Sequence, residues 1–489
     1  MPEITIDKLS IVPAYQQIGD QIGAMIRDGR ITADTKLPPI RALANGLGVS
    51  NITIVGAYRY LEQKKLAYAR VGSGTYAAEL LHEVCPATIA VPARVSEQEF
   101  ELKDAINFAN SSMPVELFPV AEFKTLFNQV LDRDKGNAFS YTDIQGYEPL
   151  REAVCGYLAS YGIKSDAGKI QIISGAQQGV DIISKAFILP GDVVFVENPT
   201  YYGAVGAFLS RGAQVMPVNM QKDGIDLDRL RGFLKLYKPK FIYVMTYFQT
   251  PTCVSYSMAK KRVLLDLAAQ YDTYIIEEDN QSEFNYGTGP IAPLKALDHR
   301  NRVIYIKSFS KILMPGLRLG FMVLPKKAGQ QAAAAKHTSD IYTSGFTQRA
   351  FELYLRSEHW HRHTEMMRRT FMERYEFFIK QADTYLRPYI KYTKPGGGLS
   401  LWLELRNKDL SARAICDRLL EEKVVVTPGA VFSTDACDLP FLRLSFTDLE
   451  CEKIRQGVKT IAKVFKDMNR LHTNRLPICN AYISSSRIR

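Results

Sequence analysis

The stretch SFSKILMPGLRLG, residues 308–320, places one lysine and one arginine among small and apolar residues. Lys311 and Arg318 lie seven residues apart, with a Pro-Gly bend between them. Burying either charge alone is costly, so each needs a partner. The stretch is therefore a candidate binding site for groups that balance these two charges.

The composition is that of a large basic protein with more than one domain. The 489 residues exceed one ordinary domain. The sequence contains no run of 18 or more apolar residues, so no membrane span is predicted. The N-terminal MPEITIDKLS lacks the apolar segment of a secretory signal. Seven cysteines without CxxC pairing predict a cytoplasmic protein with no disulfide framework and no metal site. The net charge of +11 permits a nucleic-acid partner without requiring one.

Residues 1–78, the head, have the pattern of a small helical domain that ends in a hairpin. Three helices are predicted, the first after Pro13, the second from about Ile40 to Leu47, and the third after the capping residue Ser50. The inward face of the first helix is expected to hold Tyr15, Ile18, Ile22, Met25 and Ile26. Alternation in LAYARVGSGTYAA predicts the hairpin, or wing. Such a unit commonly brings one helix into the major groove of DNA.

The remainder of the chain is predicted to be a linker, a large α/β domain and a tail. Residues 79–103 contain two prolines and mixed charge, which is typical of a linker. In residues 104–465, the body, short apolar strands such as KIQIIS and RVIYIKS alternate with helix-length segments, as in a parallel sheet with crossover helices. SLWLEL and FLRLSFT predict a small α+β lobe, and residues 466–489 predict a tail.

The head has a modest charge for a DNA reader. Nine Lys and Arg against six Asp and Glu give a net of +3, which leaves a packing or dimerisation domain as an alternative. The motifs KLP, LGVS and GSGT, however, resemble the winged helix-turn-helix of the GntR superfamily in order and spacing. This resemblance implies operator DNA as a partner. The predicted DNA contacts are Arg41, Ser50, Asn51, Thr53, Tyr58, Arg70 and Gly72.

The body resembles the pyridoxal-phosphate-dependent aminotransferases of fold type I. The stretches INFANSSMPVELFP, YTDIQGYEPLREAV, ISGAQQGVDIIS, VENPTYYG and SFSKILMPGLRLGF are similar to segments of that family in the same order. A GntR head joined to such a body is the layout of the MocR-type regulators, which the whole chain resembles. The resemblance implies pyridoxal 5′-phosphate as cofactor and a head-to-tail homodimer.

The resemblance also implies a role for each site residue. Lys311 would carry the cofactor as an aldimine, and Arg443 would hold the carboxylate of an amino acid through a bidentate pair. Taken one at a time, these residues have ordinary interpretations, such as a surface lysine or a strand arginine in a salt bridge. The predicted cofactor-binding residues are Gly175, Ala176, Gln177, Tyr201, Thr250, Glu278, Ser308, Lys311 and Arg318.

Several positions depart from the family's pattern. Glu278 stands where the family has an aspartate that pairs with the ring nitrogen, and Asp279 could take that role only after a register shift. Asn280 replaces a tyrosine expected near the ring hydroxyl. Cys253 replaces a glycine, so a positive φ is expected there. In the head, Asn51 replaces an arginine and could read adenine.

Three functions follow as hypotheses. The first is a transcriptional regulator that senses an amino acid, an amine or pyridoxal phosphate itself through aldimine exchange at Lys311. The second is an active aminotransferase with an autoregulatory DNA-binding head. The third is a DNA-binding dimer whose body no longer binds the cofactor.

Overall fold

The computed structural model describes residues 4–7, 10, 12–28, 30–32, 34–70, 72–78, 104–287, 289, 291–434 and 438–475. The predicted linker, residues 79–103, lies outside the described residues. The chain divides into two compact units, one built on the N-terminal head and one on the body. In the described part, no helix has both the length and the apolar composition to cross a membrane.

The head consists of three helices and a hairpin, as predicted. Its elements are α1 (Ala14–Arg27), α2 (Ile40–Leu47), α3 (Asn51–Gln63), β1 (Ala67–Arg70) and β2 (Gly74–Ala77). Helices α1 and α3 pack together, and Ile18, Ile22 and Ile54 are fully buried in the head core. Tyr15, predicted to face inward, is 39% exposed, and its ring packs edge-on against Tyr60 at 6.2 Å.

The body is built on strands whose positions agree with the apolar runs of the sequence. Its strands are β3 (Ile106–Asn107), β4 (Ile170–Ile173), β5 (Val193–Asn198), β6 (Gln214–Gln221), β7 (Gly224–Ile225), β8 (Phe241–Val244), β9 (Tyr274–Asp279), β10 (Val303–Ser308), β11 (Gly320–Val323), β12 (Ile390–Lys391), β13 (Ser400–Leu405), β14 (Val424–Val425), β15 (Thr427–Pro428) and β16 (Phe441–Ser445).

Helices separate most of these strands. They are α4 (Val120–Asp134), α5 (Glu148–Ala159), α6 (Ala176–Phe187), α7 (Tyr202–Leu209), α8 (Leu227–Leu236), α9 (Met258–Gln270), α10 (Lys326–Asp340), α11 (Gly345–Arg356), α12 (Glu358–Tyr385), α13 (Ala412–Glu421) and α14 (Cys451–Arg475). Residues 466–475, predicted as the start of the tail, continue α14, and residues 476–489 lie outside the described residues.

The central sheet has eight strands in the order β4-β11-β10-β9-β8-β5-β6-β7. The strands from β10 to β6 in this order are parallel, as predicted, but β11 is antiparallel to both of its neighbours. The cause is the connection between β10 and β11, which turns back within the lysine loop and pairs Ser308 with Gly320. A parallel neighbour would have required a longer crossover.

Both faces of the central sheet are covered, which is why its strands read as continuous apolar runs. Successive residues of one strand enter different cores, since Tyr305 lies in one apolar cluster and Ile306 in the other, each 0% exposed. Strands β4, β5, β8, β9 and β10 end at the same edge of the sheet. The loops that follow them are therefore brought together, as at the ligand-binding edge of other α/β sheets.

The C-terminal part contains the predicted small α+β lobe. Four strands form an antiparallel sheet in the order β12-β13-β16-β15, and α12 packs against α14 beside it. Trp402 of β13 pairs with Arg443 of β16, so the register of this sheet fixes the position of Arg443.

Candidate functional site

Lys311 lies in the loop between β10 and β11, at the carboxyl edge of the central sheet. Its side chain is partly buried, and the next two residues, Ile312 and Leu313, are each 1% exposed. Burial, together with the positive charge of Arg443, lowers the pKa of Lys311 to about 8. An amine with this pKa is partly neutral at physiological pH, so Lys311 can act as a nucleophile.

The same loop returns through Arg318 to the beginning of α6. Arg318 Nη2 donates a hydrogen bond to the carbonyl oxygen of Ser174 over 2.7 Å. Gly175 has a φ of +94°, and a Cβ atom at this position would lie 2.7 Å from Arg318 Nη2, so glycine is required. Among the described residues no side chain caps α6, and the amides of Ala176 and Gln177 remain available to an anion.

Two serines shape the loop ahead of the lysine. Ser308 Oγ accepts a hydrogen bond from the amide of Ser310 at 3.2 Å and donates to Ser310 Oγ over 3.1 Å. The sequence prediction included only Ser308, although Ser310 directly precedes Lys311 and both serines are visible in the SFSK motif. Both hydroxyls belong to the candidate site.

Tyr201 lies directly before α7, half-buried. Gln177 Nε2 donates to the carbonyl of Gly203 over 2.9 Å and so ties the beginning of α6 to this segment. Burial raises the pKa of Tyr201, the negative charge of Glu278 raises it further, and Arg318 opposes the shift. Tyr201 is therefore within electrostatic reach of both an acid and a cation, where a flat charged ring could stack on it.

Glu278 is the carboxylate of β9 that faces this side of the sheet. It is 3% exposed, and its two oxygens accept hydrogen bonds from Tyr243 Oη at 2.6 Å and from Asn280 Nδ2 at 3.3 Å. Burial raises the pKa of Glu278, because the ionised form loses its hydration. The side chain of Glu278 is thus held in place by two donors. Its carboxyl group is most stable when it is protonated or paired with a cation.

Asp279, the alternative considered from the sequence, is engaged elsewhere. Its oxygens accept from Tyr305 Oη at 2.6 Å and from Lys307 Nζ at 3.1 Å. Burial alone would raise the pKa of Asp279, but the charge of Lys307 and these hydrogen bonds hold it below its usual value. Because consecutive strand residues face opposite sides, the geometry favours Glu278 over Asp279 as the acid of the site.

The loop after β8 contains Thr250, and Gln281 connects it to the small lobe. Gln281 Nε2 donates to Thr250 Oγ1 over 3.0 Å, and Gln281 Oε1 accepts from the amide of Leu399 at 3.1 Å. Sequence reasoning missed Gln281, although it lies in the departing stretch EEDNQSEF. Cys253 has a φ of +55°, as expected for a position where the resembling family has glycine.

Arg443 belongs to the small lobe, and its positive charge acts on Lys311. Its Nη2 donates to the carbonyl of Ala109 and, over 3.3 Å, to Thr427 Oγ1. Its buried Nε has no hydrogen-bond partner within the described ranges. Burial lowers the pKa of Arg443, and its charge in turn lowers that of Lys311. An unsatisfied guanidinium donor in this position fits a carboxylate ligand.

The head presents most of the predicted DNA contacts on its surface. Arg41 is exposed in the first turn of α2. Ser50 caps α3 by accepting from the amide of Thr53 at 3.1 Å, and Asn51 begins the helix with its side chain exposed. Gly72 lies in the turn of the wing with a φ of +74°.

Arg70 is held on the wing by aromatic and acidic neighbours. Its guanidinium lies 4.4 Å from the ring centroid of Tyr76, and its Nη2 donates to Tyr68 Oη over 2.7 Å. Asp34 lies 3.4 Å from the same nitrogen, so part of the charge is already neutralised.

Tyr58 corrects the predicted set of DNA contacts. It is 4% exposed, and its hydroxyl donates to the carbonyl of Pro38 over 2.7 Å. The residue lies on the inner face of α3 with Ile54 and Leu61, both fully buried. Its ring therefore packs α3 against the segment before α2 and is not available to DNA.

Two family descriptions match this chain. The one described as "Aminotransferase class I and II" matches residues 103–461, and the one described as "Bacterial regulatory proteins, gntR family" matches residues 14–77. The HTH-type transcriptional regulator YdfD of Bacillus subtilis is 26% identical over 94% of this chain and 98% of its own length.

Two further proteins are similar to this chain, one of them a regulatory protein and the other an aminotransferase. The probable rhizopine catabolism regulatory protein MocR of Rhizobium meliloti is 28% identical over 81% of this chain and 83% of its own length. The crystal structure of LysN, an α-aminoadipate aminotransferase of Thermus thermophilus complexed with N-(5′-phosphopyridoxyl)-L-leucine, is 31% identical. The similarity to LysN covers 77% of this chain and 96% of that one, with a TM-score of 0.72.

Proposed function

Because the chain belongs to the class I and II aminotransferase family and carries a gntR-family head, we propose that it is a MocR-type transcriptional regulator whose DNA binding responds to an amino compound. The observation that carries this proposal is the presence, on one chain, of a gntR-family head and of a lysine whose pKa is lowered by burial and by the charge of Arg443, an arginine with an unsatisfied donor.

The candidate site fits pyridoxal 5′-phosphate, the cofactor of the family. The glycine that lets Arg318 approach the open N-terminus of α6 leaves room and donors for a phosphate. When bound, the cofactor would supply an aldehyde for Lys311 and an electron-withdrawing ring. The residues proposed to hold it are Gly175, Ala176, Gln177, Tyr201, Thr250, Glu278, Ser308, Lys311 and Arg318.

The effector is proposed to be an amino acid or an amine. With the cofactor joined to Lys311, the amine of an effector would form the carbon–nitrogen bond in place of Lys311, whose ε-amine would leave free, and an effector carboxylate would satisfy Arg443. Arg443 lies on β16 and Thr250 is linked through Gln281 to Leu399, so both groups couple the site to the small lobe. Movement of this lobe would then shift the population of DNA-competent states. Pyridoxal phosphate itself is the alternative effector.

The proposal is tested by combining a covalent and a functional measurement. Borohydride reduction of the reconstituted protein should fix the cofactor on Lys311, as read by peptide mapping, and the Lys311→Ala variant should remain unmodified. Amino acids and amines are then screened for a change in the affinity for a DNA fragment selected by the protein. An effect that persists unchanged in Lys311→Ala would contradict sensing at this lysine.

An active aminotransferase is the second candidate, since Lys311 and Arg443 would also serve that reaction. Glu278 for aspartate and Asn280 for tyrosine speak against efficient turnover, because the acid side chain is one methylene longer and an amide replaces the phenol expected near the ring hydroxyl. Repeated formation of a keto acid from a supplied amino acid would favour the enzyme. A single spectral change without product would favour the regulator.

We also propose that the protein is a homodimer, with head-to-tail arrangement, and acts in the cytoplasm, where operator DNA is found. Exposed apolar side chains on the body support a dimer interface: Phe139 is 66% exposed, Tyr141 83% and Ile341 47%. Sedimentation of the parent and of Tyr141→Ser tests this, with a shift towards monomer expected for the variant.

A further inference from the structure

The first turn of α3 carries an exposed aliphatic side chain without a structural role in the head. Ile52 is 82% exposed, whereas Ile54, Ala57 and Leu61 on the opposite side of the same helix are fully buried. An exposed isoleucine forgoes the stabilisation that burial of its side chain would give. Its position therefore suggests a contact that the isolated chain does not make.

The neighbours of Ile52 limit what this surface can recognise. The hydroxyls of Ser50 and Thr53 lie 2.9 Å apart, and Ser50 Oγ also accepts from the amide of Thr53, so both are engaged in the helix cap. In the described head, the exposed amide of Asn51 makes no hydrogen bond. The first turn of α3 thus offers one amide and one branched aliphatic group, and no cation.

This combination matches one kind of base-pair edge. In the major groove an asparagine amide pairs with N6 and N7 of adenine, and an apolar side chain contacts the 5-methyl group of thymine. Guanine is normally read by arginine or lysine, neither of which occurs between residues 50 and 55. A helix that enters the groove with its N-terminal residues brings both of these side chains within reach of base edges.

We infer that Ile52 reads a thymine 5-methyl group in the same half-site as an adenine contacted by Asn51, so that each half-site contains at least one thymine whose methyl group contributes to binding. This inference rests on the proposed DNA-binding function. Loss of one methyl contact is expected to weaken binding about fourfold, the equivalent of one buried methylene.

The test uses DNA selected from a random duplex pool by the full-length protein. In the selected fragment each thymine is replaced in turn by uracil, which differs only by the 5-methyl group. One thymine in each half-site should show about a fourfold loss with the parent protein and no loss with Ile52→Ala. The remaining thymines, which should show no loss, serve as controls within the same fragment.

The outcomes separate the two proposals. If no fragment is enriched, the DNA-binding function itself fails. If a fragment is enriched but every uracil is tolerated, or if Ile52→Ala retains the same sensitivity, the inference is overturned while DNA binding stands. Asn51→Ala provides a second test, since it should relax the preference for adenine at one position of the half-site without changing the response to uracil.

Discussion

Substitution of Arg443 by glutamine should weaken the binding of amino acids far more than the binding of amines that lack a carboxylate. Glutamine keeps a polar group but removes the charge and the two-pronged geometry of the guanidinium. In the parent, Arg443 Nε has no partner within the described part of the chain, and Nη2 is bound to the carbonyl of Ala109 and to Thr427. A carboxylate that contacts this guanidinium would satisfy the remaining donor.

The size of the effect follows from this geometry. Loss of a partly buried, charge-assisted pair costs about 2–4 kcal/mol, which corresponds to about a 30- to 800-fold increase in Kd for an amino acid. Removing the charge of Arg443 also raises the pKa of Lys311, which that charge helps to lower. This second effect is common to every ligand amine, so it cancels in the ratio of the two Kd values.

The assay is a titration of the reconstituted protein, followed by the cofactor absorbance, with an amino acid and with its decarboxylated amine. Arg374→Gln is a matched control, because Arg374 is also a partly buried arginine that donates to a backbone carbonyl, that of Thr447, outside the site. Equal losses for the acid and the amine in Arg443→Gln would refute the assignment, as would an equal ratio in Arg374→Gln.

Two further predictions concern the buried charges of the site. Burial depresses the pKa of Lys311 from 10.5 to about 8, so the unfolded chain binds more protons between these values and stability rises with pH in this range. Lys311→Met should therefore stabilise the cofactor-free protein by about 3 kcal/mol at pH 7 and by little near pH 10.5, in urea unfolding; a pH-independent difference would contradict this. Tyr243→Phe and Tyr305→Phe each remove a hydroxyl that donates over 2.6 Å to a buried carboxylate, Glu278 or Asp279, and each should cost about 1–3 kcal/mol. Only Tyr243→Phe should alter the cofactor spectrum, and identical spectra for the two variants would exclude Glu278 from the site.

Much of the body could be predicted from the sequence because its strands are buried on both faces. Runs such as KIQIIS and RVIYIKS have no polar side to obscure their boundaries, and they became β4 and β10. The antiparallel direction of β11 was not predicted, since direction depends on how the lysine loop turns and not on the composition of the strand. Family motifs supplied the order of the site segments but no distances between them.

The misassignment of Tyr58 could have been avoided from the sequence, whereas the environments of Glu278 and Gln281 depend on distant residues. Tyr58 lies three residues before Leu61 on the buried face of α3, so helical periodicity already indicated the core that the structure shows. The choice between Glu278 and Asp279 depended on Lys307 and Tyr305 of β10, which bind Asp279. Only the pairing of β9 with β10 shows that these side chains lie next to Asp279. Gln281 was missed because its two partners are far from it in sequence.

The two hydrogen bonds of Gln281 restrict how the small lobe can move. The amide nitrogen of this glutamine holds Thr250 and its amide oxygen holds Leu399, so the side chain cannot rotate without releasing both. A partly opened lobe would leave one end of the amide unsatisfied in a buried place, which is unfavourable. The small lobe is therefore expected to favour two positions, and a rising ligand concentration would change the fraction of molecules in which the lobe is closed.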